Sequence, residues 1–133
     1  MLGVDIEDIS RFENKDRISD KKFLERIFTP SELDYCYSNK NYAEHLCARF
    51  CAKEAVIKVL SPLGIKLSKY NAIEVYHGVF KEPKVRLLDE AYSDIHIDIS
   101  LSHDSTKAIA VAMVDNSYLH KFAYKPCCMG DEG

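Results

Sequence analysis

Residues 41–60, NYAEHLCARFCAKEAVIKVL, run without a proline or glycine until Ser61-Pro62-Leu63-Gly64 interrupts them. Read as one helix, this stretch is about 30 Å long at about 1.5 Å per residue, enough to span a small domain. A chain of 133 residues has room for one such core, so its other elements must pack along this helix. Leu46, Phe50 and Ile57 fill one side, and Ala48, Ala52, Ala55 and Val59 cover much of the opposite side. Four charges nevertheless sit among them, as two pairs at (i, i+4): Arg49 with Lys53, and Glu54 with Lys58. Burying an unpaired charge is costly, so each pair needs partners. The plain reading of Glu54 and Lys58 is a surface ion pair worth about 0.3–0.5 kcal/mol.

The remaining elements follow from period and punctuation. In LGVDIED, Leu2, Val4 and Ile6 point one way and Gly3, Asp5 and Glu7 the other, as a strand requires. A charged, helix-compatible region covers about Ser10 to Arg26. Thr29 or Ser31 can then cap a helix whose first turn tolerates Pro30. AIEVYHG and KEPKVRLL read as short strands, and IHIDISLSH alternates clearly. AIAVAMV, residues 108–114, reads as a strand buried on both faces. The short link HDSTK between the last two favours an antiparallel hairpin. The predicted class is α+β, a largely antiparallel sheet with the long helix packed on it. One domain is expected over residues 1–114, with a polar tail over 115–133.

Composition narrows the function classes. A formal net charge of −3 argues against general nucleic-acid binding. The sequence has no run of 18 apolar residues and no secretory leader pattern at its start; a cytoplasmic protein is the expectation, with no membrane partner. Five cysteines, at 36, 47, 51, 127 and 128, include no CxxC pair, which disfavours a disulfide framework or a ribbon-type zinc site. Cys47 and Cys51 are expected to be small core residues.

Chemistry enters through Asp5 on the first strand and Glu54 on the helix. Two carboxylates from separate elements can hold a hard cation such as Mg2+, with water and phosphate oxygens completing its shell. Lys58, one turn from Glu54, would meet the same phosphates as a point charge. A metal, a lysine and a phosphate together make a phosphoryl-transfer site.

GVDIEDISRF, FLERIFTPSEL, ARFCAKEAVIK and ISLSHDSTKAIAVA, in that order, resemble the 4′-phosphopantetheinyl transferases of the holo-acyl-carrier-protein synthase type, over residues 3 to about 114. The resemblance implies the fold of that superfamily and a Mg2+-dependent enzyme. Such an enzyme moves 4′-phosphopantetheine from coenzyme A to a serine of an apo acyl carrier protein and releases 3′,5′-ADP. It also implies a role for each matched position. Asp5 and Glu54 would be Mg2+ ligands, and Lys58 would contact the reacting diphosphate. His103 would lie near the nucleotide, and Arg49 joins Lys58 and His103 as a coenzyme-binding residue. Within RFENKDRISDKKFLER, Arg11 and Arg26 would dock the acidic carrier, although mixed charge on such a stretch is ordinarily a solvated face. A homotrimer with active sites between subunits is implied as well. Glu82 stands where the family often has lysine in a Gly-Lys-Pro hairpin, and VLSPLGIKLSKYN replaces a glycine-rich turn. Asp104 follows His103 where a small hydroxyl residue is frequent, with Lys107 or Lys66 to offset its charge. The rival readings are a non-catalytic coenzyme A-binding homologue and a purely structural trimer subunit.

Overall fold

The structure is a computed structural model and describes residues 1–115; the remainder of the expected tail, with Cys127 and Cys128, lies outside the described residues. Five strands run as β1 (Leu2–Asp8), β2 (Ile73–His77), β3 (Pro83–Leu87), β4 (Ile97–His103) and β5 (Lys107–Val114). Three helices, α1 (Lys21–Ile27), α2 (Pro30–Tyr37) and α3 (Tyr42–Leu60), fill the interval between β1 and β2. Every pairing is antiparallel. The expected sheet is divided in two, a three-stranded sheet ordered β1-β5-β4 and a separate β2-β3 hairpin.

α3 is the spine, as its length requires. Its C-terminal half packs on the β-strands and its N-terminal half packs on α1, α2 and the 3-10 turn Ile9–Phe12. Each aliphatic or aromatic side chain it buries fully contributes about 1.5–3 kcal/mol relative to exposure. Gly64, at φ 80°, adopts the left-handed conformation that closes the SPLG stop. A capping box starts α2: Glu32 N–H donates to Thr29 Oγ1 at 3.3 Å, and Thr29 N–H donates to Glu32 Oε1 at 2.9 Å.

Two expectations are corrected. Residues 10–26 are not one helix. Asn14 takes φ 63°, and the Asp16 carboxylate accepts from the N–H groups of Ile18 and Ser19, each at 2.9 Å. These local bonds offer the backbone an alternative to the helix, so regular α-helix begins only at Lys21. The second correction concerns β5, where only Ala108, Ala110, Ala112 and Val114 are buried, while Ile109, Val111 and Met113 are exposed in this chain. The β1 alternation is as expected, and it left open which face turns inward. Leu2, Val4 and Ile6 stand opposite Met113, Val111 and Ile109 on the outer surface, and Gly3, Asp5 and Glu7 lie on the helix side. The alternation is that of a strand, but its apolar face points away from α3. The alanines on β5 let the helix approach closely, and Gly3 completes the approach. A Cβ there would clash with the Ala55 carbonyl oxygen and sit 2.9 Å from the Val59 nitrogen.

The HDSTK link is a hairpin as expected. Asp104 Oδ1 accepts from the N–H groups of Thr106 and Lys107 at 2.8 Å each, so its carboxylate organises the turn and its pKa falls below the ordinary carboxylate value.

Candidate active site

Close packing of β1 on α3 brings Asp5 to the helix. Lys58 Nζ donates to Asp5 Oδ1 and to the Val4 carbonyl, both at 3.0 Å. The hydrogen bond to Asp5 raises the Lys58 pKa, and the charges of Asp5, Glu54 and Glu7 add to it. Asp5 is largely enclosed, its side chain 10% exposed, whereas that of Lys58 is 55% exposed. On the other side of Asp5, the Cys51 thiol donates to its carbonyl at 3.1 Å. Burial, with Asp5 beside it, pushes the Cys51 thiol well up, so the sulfur remains protonated. Cys47 and Cys51 are buried core residues, as expected.

The surface-pair reading of Glu54 and Lys58 does not describe this helix. The carboxylate that accepts from Lys58 is Asp5. Glu54 Oε2 instead accepts from the Tyr70 hydroxyl at 2.9 Å. Two residues along β1, Glu7 accepts from Arg11 at 2.8 Å, and the Arg11 guanidinium lies over the Phe50 ring, 4.8 Å from its centroid. Burial raises the Glu7 pKa, and the neighbouring Asp5 carboxylate raises it further against the pull of Arg11. Asp5, Glu7, Glu54, Arg11 and Lys58 therefore share one patch with three carboxylates and two cations.

That patch suits a small hard cation. It holds more negative than positive charge, and burial, with Asp5 beside it, raises the Glu7 pKa. No three His, Cys, Asp or Glu side chains converge as a metal-holding group among the described residues. Asp5 and Glu54 could supply the one or two carboxylates by which Mg2+ is ordinarily held, the rest of its shell being water and substrate oxygens.

Arg49 and His103 contact neither Asp5 nor Lys58. Arg49 is 3% exposed, with its guanidinium 4.3 Å from the Tyr35 ring centroid and its buried Nε without a hydrogen-bond partner. His45 and His77 flank the same ring, at 5.4 and 4.7 Å between centroids. Burial lowers the pKa of both histidines, and Arg49 lowers each further. His103, at the end of β4, places Nε2 3.8 Å from Glu44 in the first turn of α3 and adds to the field at His45. The expected Arg49–Lys53 pair has also separated. Lys53 is fully buried, and its Nζ donates to Glu32 Oε1 at 2.6 Å and to the carbonyls of Ile27, Ile73 and Tyr70 at 2.7, 2.6 and 3.2 Å. Burial lowers the Lys53 pKa against the opposing pull of Glu32.

Arg26 lines a cleft of about 690 Å3 between α1 and residues 68–71, together with Lys22, Phe23, Lys69 and Tyr70. Glu7 and Tyr70 were not among the candidate site residues read from the sequence, and Lys53 was read only as a charge in need of a partner. Period-two geometry placed Glu7 on the Asp5 face, which was a usable signal. Tyr70 lies in a segment without periodicity and offered none.

The family model of the 4′-phosphopantetheinyl transferase superfamily matches residues 1–119. The chain is 34% identical over 120 residues to a holo-[acyl-carrier-protein] synthase of Geotalea daltonii, covering 85% of this chain and 95% of that protein. It is 36% identical over 121 residues to the holo-[acyl-carrier-protein] synthase of Clostridium acetobutylicum, covering 86% and 95%. Among solved structures, the Helicobacter pylori holo-[acyl-carrier-protein] synthase in complex with coenzyme A is similar with a TM-score of 0.69 and 30% identity, covering 86% of this chain and all of that one.

Proposed function

The chain belongs to the 4′-phosphopantetheinyl transferase superfamily, and on that premise we propose that it transfers 4′-phosphopantetheine from coenzyme A to a serine of an apo acyl carrier protein. The observation that carries the reading is the convergence of Asp5, Glu54 and Lys58, from β1 and α3, on one acidic patch. Mg2+ would be held by Asp5 and Glu54, where its chemistry is to neutralise charge on the diphosphate of coenzyme A. The serine oxygen bonds to the phosphorus that carries the pantetheine arm, and that phosphorus parts from the bridging oxygen, which leaves with 3′,5′-ADP. Lys58 gives up its contact with Asp5 to meet the developing charge on that oxygen as a point charge. Glu54, with Oε2 held by Tyr70, is the proposed acceptor of the serine proton.

Arg49 and His103 are proposed as coenzyme-binding residues. A guanidinium with an unpartnered buried Nε, with His45 and His77 beside the ring it covers, suits an anionic group such as a nucleotide phosphate. The proposed site is completed by a second subunit, since neither residue contacts Asp5 or Lys58 within the one chain. The outer sheet face, where Leu2, Val4, Ile6, Ile109, Val111 and Met113 are 36–69% exposed, supports the homotrimer. Contiguous apolar surface of this kind marks an interaction site. Arg11 and Arg26 are proposed to dock the carrier, with the α1 cleft beside Arg26. No helix among the described residues is long and apolar enough to cross a membrane, in keeping with a proposed cytoplasmic role.

The test is the intact mass of a purified apo carrier protein incubated with this protein, coenzyme A and Mg2+. The carrier is expected to gain one phosphopantetheine, and EDTA or Glu54→Gln is expected to abolish the gain while the fold persists. Coenzyme A binding without any gain on several carriers would instead support a binding homologue.

A further inference from the structure

Tyr70 is gripped at both ends by consecutive residues of α3. Lys53 donates to its main-chain carbonyl at 3.2 Å, and its hydroxyl donates to Glu54 Oε2 at 2.9 Å. Its ring leans on Phe50, 5.3 Å between centroids. The next residue, Asn71, ties the segment to α1 through a 2.9 Å bond from Nδ2 to the Glu25 carbonyl. The other Glu54 oxygen, Oε1, takes no hydrogen bond from any described residue. Lys53 is anchored in turn by Glu32, whose carboxylate also accepts from the Thr29 and Val75 N–H groups at 2.9 and 2.7 Å.

We propose that Tyr70 is a positioning residue for Glu54, its phenol fixing one carboxylate oxygen so that Oε1 is presented to ligands. Packing alone does not account for the hydroxyl, since phenylalanine would fill the same space. A free glutamate side chain on a helix samples several rotamers, and ordering it on ligand binding costs affinity. A donor that holds one oxygen removes that cost beforehand, as partners behind metal-ligating carboxylates do. Lys53 makes the arrangement rigid. It fixes the Tyr70 backbone from within the core, so the phenol approaches Glu54 from a set position.

The inference rests on the transferase reading, and the experiment separates the two. The Mg2+ dependence of the thermal shift produced by coenzyme A is measured for wild type, Tyr70→Phe and Asn71→Ala, alongside steady-state transfer to an apo carrier. Tyr70→Phe is expected to raise the Mg2+ concentration for half of the shift, and to lower kcat, by about 10-fold each. KM for coenzyme A should stay within about twofold. Asn71→Ala loosens the same segment and should leave the Mg2+ titration unchanged. An unaltered titration for Tyr70→Phe, even with a lower melting temperature, would overturn the inference while leaving the reading standing. An equal displacement by Asn71→Ala would overturn it too, by assigning the effect to loop order. Glu54→Asp withdraws the carboxylate from the phenol, and adding Tyr70→Phe to it should cost less than about twofold more; full additivity would overturn the proposal. If wild type transfers nothing and gains no stability from Mg2+ with coenzyme A, both the reading and the inference fail.

Discussion

Lys53 and Glu54 are neighbours in sequence with opposite fates. Lys53 is wholly enclosed with Glu32, neither side chain exposed, while Glu54 turns to the patch with Asp5 and Lys58. A buried pair is costly to break, since the abandoned partner remains a charge in a medium that solvates it poorly. Lys53→Met is therefore expected to lower unfolding free energy in urea by about 3–5 kcal/mol, and the added change Glu32→Gln to restore part of it. A single mutant as stable as wild type would show that Glu32 finds other compensation. The sequence announced charges inside an apolar helix and the need for partners, which was correct. It did not identify those partners, because Glu32, Tyr70 and Asp5 reach α3 only through the fold. Asp5, Glu54 and Lys58 were candidates because carboxylates and a lysine in these motifs are recognisable by residue type. Tyr70 was not, because a tyrosine in an aperiodic segment becomes informative only once its hydroxyl has a neighbour.

At the scale of elements, the long helix was the most legible part. Twenty residues without a breaker, closed by Ser61-Pro62-Leu63-Gly64, need no tertiary information. The charged stretch before α1 was less legible, since side-chain bonds from Asp16 and the left-handed Asn14 compete locally with the helix. The contact of β1 with α3 at Gly3 is the joint that brings Asp5 toward the helix. Gly3→Ala would wedge a methyl group between the strand and the backbone of Ala55 and Val59. It is expected to cost about 1–3 kcal/mol of stability. Transfer should fall more steeply than the folded fraction does, because Asp5 lies two residues along the displaced strand. Comparing transfer per folded molecule with the melting curve checks this; a loss of activity matching the loss of folded protein would place the whole effect in stability.

For the whole molecule, the outer face of the three-stranded sheet is the proposed assembly surface. Val4 and Val111 stand opposite each other at its middle, 52% and 36% exposed in the single chain. If three copies bury this face, wild type should sediment as a trimer. Val111→Lys should then sediment as a monomer and lose most transfer activity, with its helix content retained by circular dichroism. A wild-type monomer with full activity would remove the shared-site proposal.

By itself the sequence determined the elements whose signals are local: the helix by its length and its stop, and the strands by their period; it also nominated Asp5, Glu54 and Lys58 by residue type. Only the tertiary structure decided which face of β1 meets the helix. Alternation requires that the two faces differ, but it does not say which one turns inward. Here Gly3 and the alanines of β5 permit the closest approach of α3, so the carboxylates follow Gly3 to the helix and the apolar side chains face out. That choice depends on steric fit of β1 and β5 against a helix about fifty residues from either in the chain, and no local window contains it.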